Sequence, residues 1–127
     1  MVIYFYSAGE APYGCFSNFS AHGFEAEGYY WKTSEHFFQA MKFVKSIKDF
    51  EDVQRAKTPK LAANIGRDRK RPLRQDWESV KDSIMRRGVL LKFRANADIR
   101  DILLGTGDEE LVENAPHDTY WGSGADG

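Results

Sequence analysis

The chain has 127 residues and a formal net charge of −1, with 42% hydrophobic and 14% aromatic residues. This size and composition predict one packed domain and exclude a disordered chain, and the charge argues against a general attraction to nucleic acid or membranes. Cys15 is the single cysteine, which excludes an intramolecular disulfide and a cysteine zinc site and fits a reducing compartment. No stretch reaches the ~20 apolar residues that cross a bilayer, and the first ten residues lack the leader of a signal peptide, so we expect a soluble, cytoplasmic protein without a membrane partner.

The first part of the sequence predicts short strands. Residues 2–6 are rich in β-branched and aromatic side chains, and the turn-like SAGEAPYG follows them. Residues 23–26 and 29–31 are expected to form two more short strands, in a stretch that mixes aromatic residues with glycines.

Hydrophobic spacing and capping residues predict helices over residues 34–44, 47–56, 59–66, 77–93 and 98–104. Thr33 or Ser34 can cap the first helix, and Asp76 the fourth. The third is the best defined, because Thr58 precedes it and Pro59 occupies its first position. A last short strand is expected at 110–113. The strands and helices do not alternate in a βαβ order, so we predict an α+β fold in which helices predominate.

Glu35 lies at the first or second position of the first predicted helix. One interpretation is a carboxylate that stabilises the helix start by roughly 0.3–1 kcal/mol. The other is a carboxylate held ionised in a cleft, where it activates water or opposes a developing positive charge. Gln39 and Lys42 follow on the same side of the helix, and an acid, an amide and an amine make this face more polar than a core face. Helix physics alone leaves both interpretations open.

His36 has no histidine or cysteine at metal-ligand spacing, so we predict no metal site and a partly buried helix histidine. Cys15 is expected to be a small buried residue, since the spacing assigns it no partner histidine.

Residues 66–74, GRDRKRPLR, form a strongly basic stretch. Arginine clusters favour phosphate through paired hydrogen bonds, and Gly66 allows the backbone to approach a ligand closely. The alternative is a solvated basic loop. If the stretch binds a ligand, only one or two of its arginines are expected to touch it.

Two further stretches suit a binding pocket. PHDTYWGSGADG places Asp118 three residues before Trp121, with Gly122 directly after the tryptophan. This combination can line a pocket for a flat ring or form a surface turn with a buried tryptophan. In YGCFSNFS, Asn18 offers an amide for recognising a base or a sugar, and Phe19 belongs either to the same site or to the core.

Taken in order, five stretches resemble the YbiA-like, or NADAR, family: YGCFSNFS, WKTSEHFFQAMKF, GRDRKRPLRQDWESVKDSIM, LLGTGDEELVE and DTYWGSGADG. The resemblance implies a mostly helical α+β fold and an N-glycosidase that needs no cofactor. It implies a phosphorylated N-riboside as substrate, either a phosphoribosylamino-pyrimidine intermediate of riboflavin synthesis or ADP-ribose linked to guanine, free or within nucleic acid. Family members usually continue into a glycine- and asparagine-rich turn and a final helix, so residues 1–127 are expected to form one domain without that last part.

The resemblance also implies residue roles. Glu35 matches the acid of the family's T-S-E-H element and is the leading catalytic candidate, together with Asp118. The residues expected to bind substrate are Asn18, Phe19, Lys42, Arg67, Trp77, Trp121 and Gly122. Two alternatives remain open, a non-catalytic module that binds ADP-ribose or a nucleotide, and a nucleic-acid binder that uses the basic stretch.

Overall fold

The computed structural model describes residues 2–5, 13–106 and 110–113 of the chain. The helices are α1 (Ser34–Ala40), α2 (Ile47–Gln54), α3 (Pro59–Gly66), α4 (Trp77–Ala95) and α5 (Ala97–Leu104). The strands are β1 (Val2–Phe5), β2 (Phe24–Ala26), β3 (Tyr29–Trp31) and β4 (Glu110–Glu113), and 3-10 turns cover Tyr13–Phe16 and Met41–Phe43. Helices therefore predominate, and the predicted α+β class is confirmed.

The described strands form two separate pairs. β1 and β4 are parallel, with Val2 opposite Glu110, so the pairing joins distant parts of the chain. β2 and β3 form an antiparallel hairpin. Its turn holds Glu27 and Gly28 at φ angles of 57° and 79°, the left-handed geometry that matches the twist of a tight hairpin.

The predicted caps explain why α1 and α3 begin where they do. The Thr33 side chain accepts a hydrogen bond from the His36 backbone N–H at 3.1 Å, and Thr58 does the same for Leu61 at 3.1 Å. Each cap satisfies one of the backbone donors that a helix start leaves free. Pro59 occupies the first turn of α3, as predicted.

Two local predictions are wrong. Asp76 makes no capping hydrogen bond at the start of α4, because its carboxylate accepts hydrogen bonds from Arg74 Nε at 2.6 Å and Nη2 at 3.0 Å. The first helix does not continue to Val44 as predicted, since α1 ends at Ala40 and Val44 is 44% exposed. The chain tightens from α-helix to a 3-10 turn after Ala40, and this change of pitch turns Phe43 into the core instead.

The main core surrounds α1, all seven residues of which are buried. Trp31 packs edge-on against Phe37, with ring centroids 5.6 Å apart. α4 crosses α1 closely at Gly88, where an added Cβ would lie 3.0 Å from Phe37 Cδ2. A carboxylate on α1 is therefore carried by the most tightly enclosed helix of the described chain.

A smaller cluster joins the 3-10 turn at residues 13–16 to α4 and α5 through Cys15, Phe16, Phe93 and Ile99. Cys15 is buried, as predicted, and burial raises the pKa of its thiol. No helix within the described residues is long and apolar enough to span a membrane.

Candidate active site

Glu35 is a buried carboxylate at the second position of α1. It is 8% exposed, which is unusual for a helix-start glutamate that only stabilises the helix. Its backbone N–H donates to the Asn18 carbonyl at 3.1 Å, and its Oε2 accepts a hydrogen bond from Gln39 Nε2 at 2.7 Å. The fold thus fixes both the backbone and the carboxylate of this residue.

Lys42 follows Glu35 on the same side of the chain, in the 3-10 turn after α1. Its Nζ donates to the Gly66 carbonyl at 3.2 Å and lies 5.6 Å from the centroid of the Trp77 ring. Burial lowers the pKa of Lys42, the negative charge of Glu35 opposes this effect, and Arg67 adds to it. The acid and the amine are therefore close enough to influence each other's charge.

A basic pocket of about 290 Å³ opens beside Lys42. Its lining includes Lys42, Gly66, Arg67, Arg69 and Trp77. Both arginines are exposed, so their guanidinium groups are accessible to an anionic ligand. Glu35 is not among the lining residues, but its negative charge interacts with the ammonium of Lys42, which does line the pocket.

The structure divides the basic stretch into two kinds of residue. Arg71 Nη1 contacts Asp49 Oδ1 at 2.7 Å and Asp52 Oδ2 at 2.8 Å, and its hydrogen bond lowers the pKa of Asp52. Arg74 is paired with Asp76, as described above. Arg67 and Arg69 take part in none of these ion pairs. Arg71 also lines the pocket, but its guanidinium is engaged by Asp49 and Asp52. Arg71 and Arg74 therefore fasten the segment to its surroundings, and Arg67 and Arg69 are the lining arginines available for a ligand.

Asn18 lies beside the catalytic candidate, but both ends of its amide are engaged. Oδ1 accepts a hydrogen bond from Ser34 Oγ at 2.9 Å, and Nδ2 donates to Met85 Sδ at 3.2 Å. Asn18 thus ties its loop to the start of α1 and to α4. The neighbouring Phe19 is 39% exposed and remains accessible.

Trp77, at the start of α4, is 7% exposed and packs against Phe38 with ring centroids 5.0 Å apart. Lys42 lies against both of these rings, so Trp77 forms part of the pocket wall and also of the core. The remaining predicted site residues, Asp118, Trp121 and Gly122, lie outside the described residues.

His36 is fully buried, which is more than the sequence predicted. Its Nε2 lies 2.9 Å from the Ala56 carbonyl and its Nδ1 2.7 Å from Thr33 Oγ1, so both ring nitrogens have protein partners. Within the described part of the chain, no three His, Cys, Asp or Glu side chains gather as a metal site would require.

Two contacts in this region were not predicted from the sequence. Gln39 is the direct hydrogen-bond partner of Glu35, and its position four residues later on the same helix was the available signal. Gly66 contacts Gln39 across the interface of α1 and α3, which no local sequence pattern indicates.

The family model of the NADAR domain matches residues 4–127 of this chain. The N-glycosidase Npun_R5314 of Nostoc punctiforme is 54% identical over 127 residues, covering 98% of this chain and 81% of that protein. The N-glycosidase YbiA of Escherichia coli is 46% identical over 126 residues, covering 99% of this chain and 78% of that protein.

The fold comparison agrees with the sequence comparison. The NMR structure of Escherichia coli YbiA matches with a TM-score of 0.89 at 46% identity, over 100% of this chain and 74% of that one. The riboflavin biosynthesis protein PYRR of Zea mays is 37% identical over 140 residues, covering 99% of this chain and 22% of that protein.

Proposed function

Since this chain belongs to the NADAR family and is an N-glycosidase, we propose that it hydrolyses the bond between ribose and a nitrogen base in a phosphorylated N-riboside. The observation that carries the proposal is the buried Glu35 carboxylate, coupled in charge to Lys42 at the edge of a basic pocket. A carboxylate for the sugar and a basic pocket for its phosphate are the two groups that this reaction needs.

Glu35 is assigned the chemical step. As the C–N bond breaks, positive charge develops on the anomeric carbon, and an anionic carboxylate stabilises it. Water adds its oxygen to that carbon, Glu35 accepts the proton of the water, and the base leaves with the electron pair of the broken bond. Direct attack by water on the face opposite the leaving base inverts the configuration, by analogy with glycoside hydrolysis. In this proposal Asp118 assists the leaving base or holds the ribose hydroxyls.

The basic pocket is assigned to the phosphate. Arg67 offers a planar guanidinium that can hold two phosphate oxygens, and Lys42 supplies a second positive charge. The half-buried Lys42 carries two roles at once, because its ammonium also faces the negative charge of Glu35. This arrangement would bring the sugar of a 5′-phosphorylated riboside near the acid.

The base and the sugar are assigned to the remaining predicted residues. Trp77 in the pocket wall and Trp121 provide flat surfaces for stacking. Asn18 lies beside Glu35, from whose backbone N–H its carbonyl accepts a hydrogen bond, and its exposed neighbour Phe19 offers apolar contact. Gly122 would let the backbone approach the ligand.

The proposed substrate class contains two groups, phosphoribosylamino-pyrimidine intermediates of riboflavin synthesis and ADP-ribose linked to guanine. The name of the Zea mays relative supports the first group. Both contain a ribose anomeric carbon bonded to nitrogen and a phosphate on the 5′ side, which is the chemistry that the pocket and Glu35 fit.

A substrate panel with two variants tests the proposal. Glu35→Gln keeps the shape and the hydrogen-bonding capacity of the side chain but removes its charge, and we expect turnover to fall at least ~10²-fold. Glu78→Gln is the matched control, since Glu78 also lies in the first turn of a helix but its side chain is 81% exposed. Each protein is incubated with a substrate of each group, and the released base, ribose 5-phosphate or ADP-ribose is identified by mass spectrometry.

Near-normal turnover of Glu35→Gln would remove Glu35 from the catalytic step. Tight binding of ADP-ribose without product from either substrate group would favour the non-catalytic binding module instead.

A further inference from the structure

Gln39 is a buried polar residue to which the proposed mechanism gives no role. It is 4% exposed and lies on α1, one turn after Glu35. Its Nε2 donates to Glu35 Oε2 at 2.7 Å, whereas its Oε1 has no hydrogen-bond partner among the described residues. A buried acceptor without a partner is unfavourable, so a constraint besides the Nε2 hydrogen bond is needed to keep the amide in this position.

Gly66, at the end of α3, supplies that constraint. A Cβ added to Gly66 would lie 2.0 Å from Gln39 Oε1 and 2.7 Å from its Cδ. The amide is thus pressed against a backbone that only glycine keeps free of a side chain. Reversing the amide would place an oxygen against the Glu35 carboxylate, so Nε2 must be the atom that faces the acid.

The same glycine contacts the second charged group of the site. Its carbonyl oxygen accepts the hydrogen bond from Lys42 Nζ at 3.2 Å. One residue of α3 therefore limits the position of Gln39 on one side and anchors the amine on the other. Through these contacts Gly66 links Gln39, the partner of Glu35, to Lys42, although Gly66 lies in a different segment of the chain.

We propose that Gln39 is the positioning residue of Glu35: wedged by Gly66, its amide holds the carboxylate in one orientation and in its anionic form. The inference rests on the proposed role of Glu35. A neutral donor favours the charged form of a carboxylate without adding a competing charge, and it restricts rotation of the side chain. Small errors in the placement of a reacting group reduce rates steeply. The hydrogen bond from Gln39 to Glu35 therefore matters for the chemical step more than for substrate binding.

Two variants at this position separate positioning from stability. Gln39→Met keeps the length of the side chain but removes both the donor and the buried Oε1. We expect kcat to fall about 10- to 100-fold while KM stays within about 3-fold, and the acidic limb of the pH–rate profile to move to higher pH. Gln39→Glu keeps the shape and places a second carboxyl group beside Glu35, and the same limb should move up by about one pH unit or more.

Gln54→Met is the matched control. Gln54 is also a helix glutamine, and its Nε2 donates a hydrogen bond to the Tyr30 carbonyl at 3.0 Å. It lies on α2, however, and this hydrogen bond is exposed to solvent. Its variant should keep the wild-type kcat and pH profile. Circular dichroism and thermal unfolding verify that each variant is folded, and Gln39→Glu retains the test if Gln39→Met does not fold.

The outcomes are distinguishable. A wild-type kcat and an unchanged acidic limb in a folded Gln39 variant, alongside an inactive Glu35→Gln, would overturn the positioning role and leave the proposed function standing. An active Glu35→Gln would overturn both. A loss of kcat in Gln39→Met with a shifted limb in both variants supports the inference.

Discussion

Gly88 offers a direct test of how tightly α4 packs on α1. Replacing glycine by alanine inside a helix normally stabilises a protein by about 1 kcal/mol, because alanine has the higher helix propensity. Here we expect Gly88→Ala to destabilise the fold. The added Cβ would lie 3.0 Å from Phe37 Cδ2 and 3.4 Å from Cε2, and the Phe37 ring is fully buried.

The magnitude follows from how little Phe37 can move. Its ring is packed against Trp31 at 5.6 Å and against Phe24 at 5.7 Å between centroids, so a shift at Gly88 is transmitted into the core. Adding a methyl group to a full core costs about 1–3 kcal/mol. After the gain in helix propensity of about 1 kcal/mol, the net loss is about 1 kcal/mol, or a fall in Tm of about 4 °C.

Urea unfolding of wild type, Gly88→Ala and the exposed control Ser83→Ala measures the effect. The control should be neutral or slightly stabilising, since it tests helix propensity on the solvent side of α4. Combining Gly88→Ala with Phe37→Leu should recover part of the loss, with a coupling energy of about 1 kcal/mol. A Gly88→Ala protein that is more stable than wild type by ~1 kcal/mol would refute the packing argument.

Two further predictions concern charge. The free energy of unfolding should decrease as the pH falls below 6.5, because burial lowers the pKa of His36 and the unfolded chain therefore takes up a proton first. Urea unfolding from about pH 8 to about pH 5 checks this, and His36→Gln should flatten the dependence, so equal slopes would contradict the reasoning. Arg71→Met should lower the urea midpoint and leave kcat/KM nearly unchanged, since Arg71 joins its segment to Asp49 and Asp52. Arg67→Met should raise KM with little effect on stability, since Arg67 lines the pocket. Steady-state kinetics with unfolding curves decide between them, and the reverse pattern would show that Arg71 is the ligand contact.

The sequence predicted local structure well where the cause is local. Thr58, Pro59 and Gly66 bound α3 as predicted, because capping and a proline at the first turn are properties of neighbouring residues. Asp76 shows the limit of such reasoning. It is a suitable cap by residue type, but Arg74 competes for the same oxygens two residues away.

Hydrophobic spacing and capping residues did not predict the contacts between distant segments. The approach of Gly66 to Gln39 depends on how α3 lies on α1, and the division of the basic stretch depends on where Asp49 and Asp52 of α2 happen to face. For the site, the sequence predicted that Glu35 and Lys42 share one face of the chain. It did not predict the burial of Glu35 or the hydrogen bond that Gln39 donates to its carboxylate.

The parallel pairing of β1 with β4 has a consequence for how the protein is made. Val2 pairs with Glu110, so β1 is synthesised well before its partner strand. At about 5–20 residues per second, roughly 5–20 s of translation separate the two strands. During that interval the helices can already pack around Phe37, while the Val-Ile-Tyr-Phe segment still lacks its partner strand. Before residues 110–113 are made, β1 is therefore open to pairing with a wrong strand, and their arrival supplies its parallel partner.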